Sequence, residues 1–183
     1  FSKIEKRFTL SEIRSDHTTF INITRSVISS KQILQINDDD SNLFVRNLRK
    51  YKVFSLDFND TEVENTIVRG CYPLHPIALF LLPRVSSIFG QNERTLFTFL
   101  GDESSLGLSG FIDAEKKKSN KAKIYYPDNL ADYFFATLSD ADLGEHKEVR
   151  IFQKNYHSLN TQVEPGIILD AQRVYKFCSI WNT

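Results

Sequence analysis

Arg94 is the side chain in this sequence whose type and position best suit contact with a phosphate group. A guanidinium offers a planar fork of N–H donors that matches phosphate oxygens. Arg94 belongs to the run Gln91-Asn92-Glu93-Arg94, which precedes an apolar stretch and so lies at a predicted helix start. In the simpler interpretation, Asn92 caps the helix and Glu93 joins a surface ion pair. On the residues alone, capping is the more economical account, and the phosphate interpretation stays open.

A cluster of lysines beside two tyrosines could bind nucleic acid. Lysines can follow a phosphate backbone while aromatic rings stack on bases. The simpler interpretation is a mobile, solvated loop, because residues 101–127 are rich in glycine, serine and lysine and have little apolar periodicity. The basic side chains concerned are Lys116, Lys117, Lys118, Lys121 and Lys123, next to Tyr125 and Tyr126.

The sequence lacks the patterns of several common catalytic sites. It contains no phosphate-binding G-x-x-x-x-G-K-[ST] loop, no G-x-G-x-x-G fingerprint and no G-x-S-x-G elbow. The four histidines are scattered without the spacing of metal ligands. Cys71 and His75 are best interpreted as a small apolar residue and a polar group at a helix start. We therefore expect no catalytic residue and no metal site within the chain itself.

The composition limits the partners that the chain could bind and indicates its cellular compartment. The 183 residues include 23 basic and 23 acidic side chains, so no net field attracts nucleic acid or an anionic membrane. The longest apolar run, residues 77–82, is too short to span a bilayer, and no signal peptide is evident. Cys71 and Cys178 lie far apart among apolar neighbours, which predicts reduced, buried thiols in a cytoplasmic protein. A first residue of Phe1 and the absence of methionine predict a fragment of a longer protein.

Apolar periodicity predicts a mostly α-helical fold. An acidic turn is expected at residues 38–41, and residues 53–58 are read as a short strand or an extended connector. Pro83 is expected to break or kink the helix that contains it. A polar segment is expected over residues 139–148. Helices are predicted over residues 17–36, 43–50, 60–69, 76–90, 92–100, 128–138 and 168–181.

The central part of the sequence resembles a known family, the large bacterial AAA+-like P-loop ATP-binding proteins related to those of BREX-type phage-defence systems. In their lid region a Tyr-Pro-x-His-Pro element precedes a helix and then a Gln-x-x-Arg element. That small helical lid closes over nucleotide held by the preceding P-loop domain. The resemblance is specific over residues 72–100 and weak elsewhere. It is carried by Tyr72-Pro73-Leu74-His75-Pro76, Leu82-Pro83-Arg84-Val85-Ser86 and Phe89-Gly90-Gln91-Asn92-Glu93-Arg94-Thr95-Leu96-Phe97.

The resemblance implies roles for five residues. Arg94 would be the arginine that senses the γ-phosphate, and Arg84 is a second candidate for that role. Pro73, His75 and Gln91 would shape the edge that faces the nucleotide. ATP and Mg²⁺ would be bound mainly by the P-loop domain of the same parent protein, because this chain lacks the Walker motifs. Hydrolysis by this chain alone is not expected.

The same interpretation divides the chain into three parts. Residues 1–110 would form the helical lid, residues 111–127 the basic surface loop, and residues 128–183 a helical continuation toward a following module. A second copy or other defence-complex subunits would be further partners. Two alternatives stay open, namely a helical scaffold without nucleotide contact and a nucleic-acid-contacting domain that uses the lysine loop. Binding through that loop would weaken steeply with added salt.

Overall fold

The computed structural model describes residues 17–31, 34–54, 58–89, 93–118, 123–136 and 147–182. Within these ranges the regular elements are helices, so the prediction of a mostly α-helical fold is confirmed. The helices are α1 (His17–Ser30), α2 (Asp38–Lys50), α3 (Asp60–Glu62), which continues as a π-helical segment (Val63–Val68), α4 (Pro76–Phe89), α5 (Glu93–Gly101), α6 (Leu108–Lys116), α7 (Pro127–Ala136), α8 (Lys147–Gln162) and α9 (Ile168–Asn182). Across the described ranges, no helix combines the length and the apolar character needed to cross a lipid bilayer.

Asparagine side chains fix the starts of α2 and α3. Asn37 accepts a 2.8 Å hydrogen bond from the backbone N–H of Asp40 and so caps α2. Asn59 and Glu62 form a capping box at α3, with reciprocal bonds of 3.0 and 2.8 Å. Asp38 begins α2, so the predicted acidic turn is wrong. Carboxylates in a first turn complement the helix dipole, and this favours helix over turn here.

α4 forms the centre of the fold and passes through Pro83 without a break. It contacts α1, α5, α7 and α9. Leu82 and Val85, on either side of Pro83, are fully buried. Burying a side chain of this size stabilises a fold by about 1.5–3 kcal/mol, which can offset the backbone hydrogen bond that proline removes. Of the two outcomes expected at Pro83, the break is wrong, because core packing holds the helix together, and the kink stays a prediction.

Part of the predicted basic loop is a helix. α6 covers residues 108–116, with Leu108, Ile112 and Glu115 buried on one face. These residues recur at helical spacing, but the stretch is too short for a strong periodic signal. After the undescribed residues 119–122, the chain returns to the core at Tyr125, which is 1 % exposed. The prediction that residues 111–127 form one mobile loop is therefore wrong at both ends. The first residues belong to α6, and Tyr125 near the other end is buried.

Two further segments differ from the sequence-based expectations. Residues 51–54 form a turn in which Lys52 and Phe54 have positive φ angles of 54° and 63°. The predicted strand at residues 53–58 therefore does not begin there, and residues 55–57 lie outside the described part. α8 was not predicted, although Val149 and Phe152 place apolar groups at helical spacing. Its ring contact between Phe152 and Tyr175, with centroids 5.3 Å apart, joins α8 to α9.

Candidate functional site

The Tyr-Pro-x-His-Pro segment is tied to a distant part of the chain at the start of α4. The backbone N–H of Tyr125 donates a 2.9 Å hydrogen bond to the carbonyl oxygen of Pro73. The backbone N–H of His75 returns a 2.9 Å bond to the carbonyl oxygen of Tyr125. Leu74 and Tyr125 thereby form an isolated parallel β-bridge. Pro73 is buried, follows a cis peptide bond and acts as part of this anchor.

The imidazole of His75 is enclosed by aromatic rings and carries no charge at neutral pH. Its centroid lies 4.9 Å from that of Phe44 and 5.3 Å from that of Tyr126. Burial lowers the pKa of His75 to about 4, against a smaller opposing effect of Asp128. Nδ1 accepts a 3.1 Å hydrogen bond from the backbone N–H of Ile77, which places the proton of the neutral ring on Nε2. His75 is thus an uncharged group at the start of α4.

An open groove of about 740 Å³ is lined by Tyr126, whose ring contacts that of His75. Its lining combines both signs of charge, which suits a ligand or partner with mixed charge better than a polyanion. The basic lining residues are Lys118, Lys123 and Arg173, and the acidic ones are Asp40, Glu115 and Asp128.

Glu115 is the buried carboxylate at the wall of this groove, with only 3 % of the residue exposed. It accepts hydrogen bonds from the ammonium group of Lys118 and, at 2.8 Å, from the backbone N–H of Lys123. Burial acts to raise the pKa of Glu115, but these two bonds outweigh it and hold the pKa below its usual value. Lys118 is therefore neutralised by a partner within its own segment.

The other lysines do not form one concentrated basic patch. Lys116 pairs with Asp113 at 3.8 Å, and Lys31 approaches the same carboxylate at 2.9 Å. Lys117 is exposed, and Lys123 is exposed on the groove wall. Lys121 lies outside the described residues. The arrangement lowers the support for nucleic-acid contact, because part of the positive charge is already compensated.

Arg173 is a groove residue that sequence reasoning missed. Its Nε lies 3.1 Å from a carboxylate oxygen of Asp128, and its guanidinium carbon lies 5.1 Å from the ring centroid of Tyr126. Cation–π contacts of this kind hold an arginine flat against an aromatic face. No local spacing relates α9 to the start of α7, so the sequence offered no signal for this contact.

The arginine candidates lie toward the other end of α4. Arg84 is exposed, and within the described part of the chain no carboxylate pairs with it. It follows His75 by nine residues, which corresponds to roughly 13 Å along a helix. Arg94 falls in the first turn of α5, which contacts α4, and only its backbone is described. Gln91 lies outside the described residues. The structure thus divides the site candidates between the two ends of α4.

The two thiols differ in environment. Cys71 and Cys178 are free, the first buried and the second exposed, so the prediction of a buried thiol is wrong for Cys178. Burial raises the pKa of Cys71 to about 12, so its thiol stays protonated at neutral pH. A thiolate nucleophile activated by His75 is therefore disfavoured at this position.

In the described ranges, no set of three or more His, Cys, Asp or Glu side chains is arranged to hold a metal ion. Comparison with protein-family models, curated proteins and solved structures yields no match for this chain. The function of the chain is therefore inferred from its residues and their geometry.

Proposed function

We propose that this chain is the helical lid and sensor region of a large P-loop ATPase and couples nucleotide state to neighbouring modules. The sequence of residues 72–100 supports the proposal through its resemblance to such lids. The structural observation that supports it most directly is the exposed guanidinium of Arg84 on the central helix α4, which pairs with no carboxylate of the described residues. An arginine without an internal partner is available for a phosphate group supplied by another domain.

The rigidity of α4 bears on how such an arginine would act. The face of α4 opposite the solvent is packed into the core, so Arg84 projects from an element that cannot easily shift alone. Preorganised charges stabilise a developing phosphate charge with little reorganisation. In this proposal the P-loop domain of the parent protein binds ATP and Mg²⁺, and Arg84 and Arg94 supply positive charge from α4 and α5. A cytoplasmic location and a role in bacterial phage defence belong to the same proposal.

Pro73 and His75 have a different role in this proposal from the one the resemblance implies. Their backbone bonds to Tyr125 fix the start of α4 to the segment that leads into α7. α7 and α4 both contact α9. A displacement of α4 at the arginine end would therefore move α7 and α9 with it. We infer that these residues transmit the motion and that a neutral His75 makes no ionic contact with phosphate.

ATP turnover by the parent protein tests the proposal. Arg84→Ala and Arg94→Ala are compared with Arg150→Ala, which removes an exposed arginine on α8. We expect at least one of the first two changes to lower kcat by about a hundredfold, as loss of a transition-state donor does, and Arg150→Ala to leave it unchanged. Unchanged turnover in both test variants, with the fold retained, would support a scaffold without nucleotide contact.

A further inference from the structure

A second cleft, of about 410 Å³, is lined by two arginines from different elements. Arg25 comes from α1, and Arg69 follows the π-helical segment. Neutral polar groups of Ser29, Gln35 and Asn65 complete the polar lining. Among the described residues that line the cleft, none is an aspartate or a glutamate. The lining therefore offers hydrogen-bond donors and two guanidinium groups.

Arg25 approaches the chain closely at Gly70. A Cβ atom on Gly70 would lie 3.1 Å from Nε of Arg25 and only 2.5 Å from the carbonyl oxygen of Thr66. Glycine is therefore required for this approach of side chain to backbone. Arg25 is exposed, and in the part of the chain that the structure describes it forms no ion pair. Its guanidinium lines the cleft, and no carboxylate among the described residues pairs with it.

Arg69 is held by carboxylates that do not line the cleft. Its Nη2 lies 2.9 Å from a carboxylate oxygen of Asp38, and its Nε donates a 3.1 Å hydrogen bond to Glu64. A guanidinium carries more N–H donors than these two bonds occupy. The ion pairs compensate the charge of Arg69, orient its fork and leave N–H donors for a further acceptor.

The backbone at this wall of the cleft is unusual. The N–H of Arg69 donates a 2.9 Å hydrogen bond to the carbonyl oxygen of Glu64, five residues earlier, as in a π-helix. The π-helical segment includes Asn65, ends at Val68 and is followed directly by Arg69 and Gly70. π-Helical turns are rare and occur frequently at functional sites. The π-helical segment therefore marks the same cleft by a feature other than its charge.

We propose that the cleft between Arg25 and Arg69 binds a phosphate group, carried by inorganic phosphate or by a phosphomonoester. Guanidinium forks bind phosphate oxygens through paired, charge-assisted hydrogen bonds. The amide groups of Asn65 and Gln35 can donate to the same oxygens. The site lies on other elements than Arg84 and does not depend on the ATPase proposal.

Calorimetric titration of the 183-residue chain tests this site. Sodium phosphate is the probe, and sodium chloride at matched ionic strength is the blank. We expect saturable binding of phosphate, weakened about tenfold or more in Arg25→Gln because one charged donor pair is lost. Arg25→Lys keeps the charge without the fork and is expected to bind with intermediate affinity. Arg150→Gln, on an exposed part of α8, should bind like the wild type.

The outcomes distinguish inorganic phosphate from a phosphomonoester, and they distinguish failure of the phosphate site from failure of the ATPase proposal. Binding of phenyl phosphate as well as inorganic phosphate would assign the site to a phosphomonoester, whereas inorganic phosphate alone would assign it to the free anion. No saturable binding of either probe, or equal affinity in Arg25→Gln and wild type, would overturn the proposal. Unfolding temperatures without phosphate check that Arg25→Gln retains the fold. Because ATP turnover in the parent protein is measured separately, failure here leaves the role of Arg84 to its own test.

Discussion

The backbone N–H of His75 donates a 2.9 Å hydrogen bond to the carbonyl oxygen of Tyr125, and this contact joins the start of α4 to the start of α7. The two residues are far apart in sequence, yet their pairing decides where the groove lies. It places the rings of His75 and Tyr126 together and brings Lys123 to the groove wall.

Tyr125→Phe should weaken this junction without removing its ring packing. The hydroxyl of Tyr125 donates a 2.7 Å hydrogen bond to the carbonyl oxygen of Leu106, and the residue is 1 % exposed. Loss of the donor leaves that carbonyl without its bond, and we expect the free energy of unfolding to fall by about 1 kcal/mol. Urea denaturation measures this change. Tyr51→Phe, at a residue 67 % exposed, is the control and should change stability little. Equal effects of the two substitutions would contradict the role of the buried hydroxyl.

His75 should make the fold less stable in acid. The pKa of the imidazole is about 4 when folded, below its ordinary value of 6.5, because burial disfavours the charged form. As pH falls, the unfolded chain therefore takes up the proton first. The contribution of His75 is fully present above about pH 6.5 and is lost progressively toward about pH 4.

His75→Asn provides the comparison for that pH dependence. The asparagine oxygen can still accept from the N–H of Ile77, but the side chain does not titrate. We expect the wild type to lose about 3 kcal/mol more stability than the variant between about pH 7 and about pH 4, measured by urea unfolding. Parallel pH profiles for the two proteins would show that His75 is protonated equally well in the folded and unfolded states.

Sequence periodicity was sufficient for helices with long apolar faces and insufficient where few apolar residues mark the buried side. α4 and α9 were predicted because leucine, isoleucine and aromatic residues repeat along them. α6 was missed because lysines follow its short buried face, where Glu115 takes a core position through bonds to Lys118 and Lys123. Such a buried carboxylate carries no hydrophobic signal.

The sequence could name candidate residues for the site, but it could not predict how they are arranged in space. The sequence singled out His75, Arg84 and the lysines, but no local pattern relates residues 74 and 125, whose pairing depends on the packed core. Arg25 and Arg69 were overlooked because their cleft is formed by elements distant in sequence and by a π-helical turn that periodicity does not reveal.

Cys178 should react with thiol reagents while Cys71 is protected. Cys71 is 0 % exposed, and its pKa of about 12 leaves almost no thiolate at neutral pH, whereas Cys178 is exposed. We expect iodoacetamide to modify Cys178 alone in the native protein and both residues in denaturant, as read by peptide mass spectrometry. Cys178→Ser should abolish native labelling. Rapid native labelling of that variant would show that the environment of Cys71 opens readily.

Glu115→Gln should destabilise the end of α6 through loss of charge with little change of shape. The carboxylate of Glu115 accepts from Lys118 and from the backbone N–H of Lys123, and the residue is 3 % exposed. The amide keeps one acceptor oxygen, but its NH₂ group faces donors, so we expect a loss of about 1–3 kcal/mol. Glu103→Gln, at an exposed residue, is the matched control.

The pH dependence of the same variant separates charge from packing. Because the folded-state pKa of Glu115 lies below its ordinary value of 4.5, its stabilising contribution is present above about pH 4.5 and is lost as the pH falls through the folded-state pKa. The stability gap between wild type and Glu115→Gln should therefore narrow in acid when both are unfolded by urea. A gap that stays constant would assign the effect to packing of the amide and would leave the Lys118 ion pair without a measurable contribution.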